Sequence, residues 1–207
     1  HCNHSSATAE QTANEVRAIG RRCEIIQANF LKTDDLLSVI PAVNHRLGTA
    51  SLLINSASIF TRNTLLTSTP EQFDEDFAIH VKAPMFLSRD FAKSCNHGQI
   101  INIVDAAVVR NASGYHTYLL SKKSLMELTK MSASELAPRI RVNAIAPGMI
   151  LPAVGWSEQE SEHASKANIL QRQAGPADIL IAMEYLLKSP QVTGDCLFVD
   201  GGDHVDF

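Results

Sequence analysis

Along this chain, short apolar runs alternate with longer stretches in which apolar residues recur every three or four positions. The runs at Cys23–Gln27, Ser51–Ile54, Gln99–Val104, Arg141–Ala146 and Cys196–Val199 read as buried strands. Between them the period changes to that of helices. Ala9, Ala13, Val16 and Ile19 mark a helix over Ala7–Ile19 that Gly20 stops. Thr33 serves as N-cap for a second helix reaching about Arg46, with Pro41 placed to kink or restart it and Gly48 to close it. Pro70 opens a long helix to about Ser94, with Phe73, Phe77 and Val81 on one stripe; Pro84 inside it should free a carbonyl and bend the axis. A further helix follows Asp105, and Gly175-Pro176-Ala177-Asp178 starts the last one. Strands alternating with helices predict an α/β domain on a parallel sheet.

Chemistry concentrates between Gln99 and Lys122. The run Gln99–Val104 ends on Asp105, Tyr118 follows thirteen residues later, and Lys122 lies four beyond it. On a helix that interval places Tyr118 and Lys122 on one face. An ammonium within reach favours a phenolate and draws the phenol below its ordinary value of about 10, so the pair can exchange a proton while a hydride moves. Tyrosine and lysine at this spacing also meet by chance, so the surroundings must carry the reading.

Composition narrows the classes. With 207 residues, 45% hydrophobic and 19% charged, the chain suits one domain, residues 1–207, with a sizeable core. A net charge of -4 gives no electrostatic reason to expect nucleic acid or an anionic membrane as partner. No apolar stretch approaches the roughly 18 residues of a membrane span, and the amino end lacks a signal-peptide pattern. Cys2, Cys23, Cys95 and Cys196 are widely spaced with no CxxC pair, which argues against metal ligation and disulfides and for a reducing cytoplasm.

Tyr118-Leu119-Leu120-Ser121-Lys122, the strand-end Asn55-Ser56-Ala57-Ser58, Arg141–Gly148 and the late Val192-Thr193-Gly194 with Asp200-Gly201-Gly202 resemble, in order and spacing, the short-chain dehydrogenase/reductase family. The likeness spans nearly the whole chain. Within the family it is to pteridine reductases and dihydromonapterin reductases, which are similar in having an aspartate, here Asp105, where most relatives have a catalytic serine. They also resemble this chain at Asn55–Phe60, where Ser58 replaces a glycine and an aromatic residue follows. The implied fold is a Rossmann-like doubly wound parallel sheet. Measured against it, the sequence starts at the end of the second strand, lacking the first strand, the glycine-rich loop and the first helix.

The resemblance also implies roles. Asp105, Tyr118 and Lys122 would be catalytic. The cofactor would be NADPH, met by Asn3, His4 and Ser5 at the adenosine ribose, where donors without negative charge suit a 2'-phosphate, although a polar loop facing water reads equally well. Asn29 would approach adenine or form an Asx turn. Asn55, Ser56, Ala57 and Ser58, Tyr118 and Lys122, and Pro147 with Gly148 would complete the cofactor site, Gly148 being free to take positive φ. Ser58, Phe60, Asp105 and Tyr118 would face a dihydropterin such as dihydrobiopterin, dihydromonapterin or dihydrofolate, with Phe60 stacking on the ring or else belonging to the core. His80 stands where the family has a relay asparagine and reads as a functional residue or a core histidine. Residues Leu151–Asn168, with Trp156, Glu158, Glu160, Glu162 and His163, resemble a mobile cover over the site. A homotetramer is the family's usual assembly. A carbonyl or alcohol oxidoreductase of the same family and a non-catalytic dinucleotide-fold module remain the alternatives.

Overall fold

The computed structural model describes residues 1–151, 157 and 168–205, so Trp156, Glu158, Glu160, Glu162 and His163 lie outside the described residues. Four parallel strands form one sheet in chain order: β1 (Leu52–Asn55), β2 (Gly98–Ile103), β3 (Ile140–Pro147) and β4 (Cys196–Val199). Their apolar runs are continuous because both faces are covered. Ile100 and Val142 point into a core shared with Leu36 and Phe91, whereas Ile101 and Ile145 pack with Ala182 and Leu186 on the other side.

Among the described residues the α-helices are α1 (Ser6–Ala18), α2 (Thr33–Leu47), α3 (Pro70–Phe77), α4 (Ala83–Ser94), α5 (His116–Leu136) and α6 (Pro176–Lys188). Gly20 ends α1 and Gly48 ends α2, both at positive φ as the pattern predicts. Ile19, by contrast, is exposed and contributes nothing to the α1 stripe. Pro41 is carried inside α2 without breaking it. The residue preceding α2's first turn is Lys32, and the Thr33 hydroxyl instead accepts a hydrogen bond from Lys82 Nζ at 2.8 Å. Thr69 and Gln72 make a reciprocal capping box with Pro70 at the first turn of α3.

Two expectations change. The single helix expected from Pro70 to Ser94 is two, joined by a wide π turn over Ala78–Lys82 in which Ala83 N–H reaches back to Ala78 O. Pro84 cannot donate and crowds the carbonyl one turn earlier, and the widened turn relieves this. Phe73, expected on the buried stripe, instead stacks, half in solvent, on Phe77. The strand expected at Cys23–Gln27 reduces to one parallel bridge between Cys2 and Gln27, because no described strand lies beside it to extend the ladder. Between that bridge and β1 lies a cavity of about 560 Å³, lined by Ile26, Val39, Leu53, Ser56, Ala57 and Phe91 among others.

Candidate active site

The expected groups converge at the carboxyl edge of the sheet. Asn55 closes β1, Asp105 follows β2, and Pro147 closes β3. Helix α5 starts beside them and buries Tyr118, Lys122, Leu125, Thr129 and Ala133 along one stripe, as the four-residue spacing requires.

Tyr118 Oη donates to Asp105 Oδ2 at 2.7 Å. Asp105 Oδ1 accepts from Ala107 N–H at 2.8 Å and so caps the short 3-10 turn Ala106–Val109. The same carboxylate is therefore both partner of the phenol and cap of a loop. Phe60 stacks on Tyr115 with ring centroids 4.4 Å apart and meets Tyr118 edge-on at 4.8 Å. It is 54% exposed, which excludes a core role.

The electrostatics correct the expectation that Lys122 would make Tyr118 acidic. Its ammonium donates to Ile103 O at 2.9 Å and lies 5.8 Å from the centroid of the Tyr118 ring. Burial, and then the charge and hydrogen bond of Asp105, hold the phenol well above its ordinary value. Burial also draws Lys122 down to about 8 against the pull of Asp105 and Asp76. The spacing fixed the face that the two share but not the direction in which the ammonium points.

His80 is fully buried under this group. Nε2 lies 2.9 Å from Ser58 Oγ and accepts from Ile59 N–H at 3.2 Å, while Nδ1 lies 2.8 Å from Ser121 Oγ. Burial, with Lys122 nearby, lowers its pKa to about 3, so the ring is neutral. One turn earlier, buried Asp76 accepts from the Thr117 hydroxyl, and Thr117 is held on both sides by Asn63. Burial raises the Asp76 pKa, with Thr117 opposing. The sequence assigns no role to Asp76, Thr117, Asn63 or Tyr115, and shows Ser121 only as a member of the Tyr118–Lys122 motif. The one available signal was an acid at Asp76 four residues before His80, in phase with Phe73 and Phe77.

A family model described as Enoyl-(Acyl carrier protein) reductase matches residues 2–204. The dihydromonapterin reductase of Klebsiella pneumoniae is 31% identical over 90% of this chain and 79% of its own length. The chain belongs to the short-chain dehydrogenase/reductase family. It is thus an oxidoreductase by kinship, and its relatives act on different compounds. The 2-dehydro-3-deoxy-D-gluconate 5-dehydrogenase of Escherichia coli K12 is 30% identical over 93% of this chain and 80% of its own length. Among solved structures, FolM alternative dihydrofolate reductase 1 from Brucella suis, in complex with NADP, superposes with a TM-score of 0.95 at 31% identity, covering 100% of this chain and 84% of that one.

The remaining family positions divide into exposed and committed groups. Ser56, Ala57 and Ser58 are exposed at the end of β1, and the first two line the 560 Å³ cavity. The Asn55 amide, by contrast, is buried and donates to Asn102 Oδ1 at 2.8 Å; Asn102 in turn donates to Thr129 Oγ1 at 2.9 Å. That amide is part of a ladder under the site. His4 and Ser5 are exposed, and Asn3 is half-buried with its carbonyl accepting from Gln27 Nε2 at 2.8 Å. Asn29 forms the Asx turn, accepting from Leu31 N–H at 3.0 Å. Gly148 does not adopt positive φ. It is required because a Cβ there would come within 2.9 Å of the Asp200 backbone, and its N–H donates to Val199 O at 3.0 Å.

Among the described residues no cluster of three His, Cys, Asp or Glu side chains is placed to hold a metal, and no helix is long and apolar enough to cross a membrane.

Proposed function

We propose that this chain reduces a dihydropterin, namely dihydrobiopterin, dihydromonapterin or dihydrofolate, to its tetrahydro form with NADPH. The observation that carries the reading is the 2.7 Å hydrogen bond from Tyr118 to Asp105 beside the exposed face of Phe60. A carboxylate partner suits proton delivery to a ring nitrogen, and a half-exposed aromatic ring suits a flat heterocycle. The names of the Klebsiella and Brucella relatives support the substrate class, and the NADP in the Brucella complex supports the cofactor.

The donor set fits a dinucleotide. Lys122 carries three N–H donors on a buried ammonium and directs one to Ile103 O. Lys122 and Tyr118 would hold the nicotinamide ribose, with Ser56, Ala57, Ser58, Pro147 and Gly148 along its course. The donor-rich Asn3, His4 and Ser5 would meet the 2'-phosphate. NADPH, when bound, supplies the hydride. Tyr118 supplies the proton: held protonated by burial and by Asp105, it acts at neutral pH as a donor, not as a base. Asp105 aims the hydroxyl and can take part in a relay through water. The Lys122 ammonium opposes the negative charge that develops on the phenol oxygen as its proton leaves.

Exposed Leu180, Ile181 and Tyr185 on α6 support self-association, with a homotetramer as the proposed state, to be measured by light scattering. Four free thiols support a reducing, cytoplasmic setting. The activity test is loss of NADPH absorbance with a panel of dihydropterins, simple ketones and a keto sugar acid. Dihydropterins should lead in kcat/KM. Preference for the ketones or the sugar acid would shift the reading to a carbonyl or alcohol oxidoreductase, and absence of NADPH binding to a non-catalytic module.

A further inference from the structure

The loop that carries Phe60 is pinned at both ends to the helix that carries Tyr118. At its far end, Asn63 N–H donates to Gly114 O at 2.9 Å, His116 N–H donates back to Asn63 O at 3.2 Å, and the Asn63 amide bonds Thr117. At its near end the link is His80, and the direction of every proton in it can be deduced. Ile59 N–H donates into Nε2, so that nitrogen bears its lone pair and Nδ1 bears the hydrogen. Nδ1–H therefore donates to Ser121 Oγ at 2.8 Å, and Ser121 Oγ–H donates to Tyr118 O at 2.7 Å. Ser58 Oγ, 2.9 Å from Nε2, meets the same lone pair as a donor, its one hydrogen shared with Ile59 O at 3.3 Å. Donors run one way from the loop, through the imidazole, to the backbone of the tyrosine itself, and such chains strengthen each of their bonds.

Two further features point the same way. The π turn Ala78–Lys82 carries His80 to a position with no solvent exposure, its ring edge-on to that of Tyr118 with centroids 5.4 Å apart. Asp76 Oδ1, fully buried and with no hydrogen-bond partner, lies 3.8 Å from Nδ1 and favours the tautomer that has its hydrogen there. We propose that His80, whose tautomer Ile59 N–H fixes and Asp76 favours, is a positioning residue: it straps the Ser58–Phe60 loop to α5 and so fixes the separation between the stacking ring of Phe60 and the hydroxyl of Tyr118. The strap governs how a flat substrate is seated, and it acts through Phe60, not by moving a proton. The inference rests on the dihydropterin reading only for the ligand used below.

The test compares His80→Phe, which keeps a ring but has no acceptor, with His80→Gln, whose amide oxygen can accept from Ile59 N–H. Hydrogen exchange read at the Ile59 amide should speed up by about tenfold in the Phe variant, the upper range for one lost hydrogen bond, and recover in the Gln variant. With dihydrofolate and NADPH, KM should rise in the Phe variant by more than kcat falls. Equal Ile59 exchange in the unaltered chain and both variants overturns the strap. So does exchange accelerated alike across the whole chain in Phe and Gln variants, since that marks His80 as packing alone. An equal fall in kcat with KM unchanged also overturns it. Failure of the unaltered chain to turn over dihydrofolate removes the pterin reading and leaves the exchange comparison to decide the strap by itself.

Discussion

A buried imidazole that stays neutral makes the protein sensitive to acid, and the size of the effect follows from the structure. His80 has a folded pKa of about 3 against an ordinary 6.5. Above pH 6.5 both folded and unfolded chains hold the ring neutral and nothing is lost. As pH falls below 6.5 the unfolded chain binds a proton that the folded chain refuses, so stability drops until the folded pKa is reached. At pH 5 the unfolded ring is about one and a half units below its pKa, which at about 1.4 kcal/mol per unit costs about 2 kcal/mol; the limit, below pH 3, is about 5 kcal/mol. The groups facing the ring are Asp76 from its own helical segment and Lys122 and Tyr118 from α5. Asp76 works in the opposite sense, because a raised carboxyl pKa lets the folded chain take up a proton first and gain stability as pH falls. Urea unfolding at pH 7 and pH 5, with and without His80→Gln, isolates the imidazole. With a urea slope of about 2 to 3 kcal/mol per M, the midpoint of the unaltered chain should fall by slightly under 1 M more than that of the variant. Equal falls in the two proteins would refute the reasoning.

Other changes separate function from stability. Asp105→Ala should lower turnover by about 100-fold or more while NADPH affinity, by titration, changes little, and loss of its cap should cost about 1 kcal/mol in unfolding. Lys122→Met should abolish turnover yet leave the thermal midpoint unchanged or higher, since burial already disfavours the ammonium. Phe60→Ala should raise dihydropterin KM by roughly 2- to 10-fold, the worth of one aromatic contact, with a smaller effect on unfolding because the ring is half in solvent.

How much of this was legible beforehand depended on what kind of signal each residue leaves in a sequence. Strands buried on both faces leave continuous apolar runs, so β1 to β4 and the site residues at their carboxyl ends could be located. Asp105, Tyr118 and Lys122 were legible because strand end, interval and helix period all bear on them. The segment at Cys23–Gln27 has the composition of a strand, but pairing needs a neighbour and composition does not report one. The π turn was hidden because a single extra residue per turn leaves the surrounding period intact; only Pro84 hinted at it. Asp76, Thr117 and Asn63 are polar residues whose ordinary place is a wetted surface; the spacing of Asp76 to His80 is the one local hint, and nothing of the kind marks Thr117 or Asn63. The direction of the Lys122 ammonium depends on the Ile103 carbonyl, a backbone group that a pattern of side chains does not display.

The meeting of Gly148 with Asp200 has a consequence at the bench. The two backbones touch with no side chain between them, and the buried Asp200 carboxylate also accepts from Gly202 N–H at 3.0 Å and His204 N–H at 2.7 Å. A clamp of this kind tolerates no added volume, so even a methyl group at residue 148 should loosen the turn after Asp200 and open it to proteases. Limited digestion of Gly148→Ala beside the unaltered chain, read by mass spectrometry, reports that opening, and equal digestion of the two would count against it.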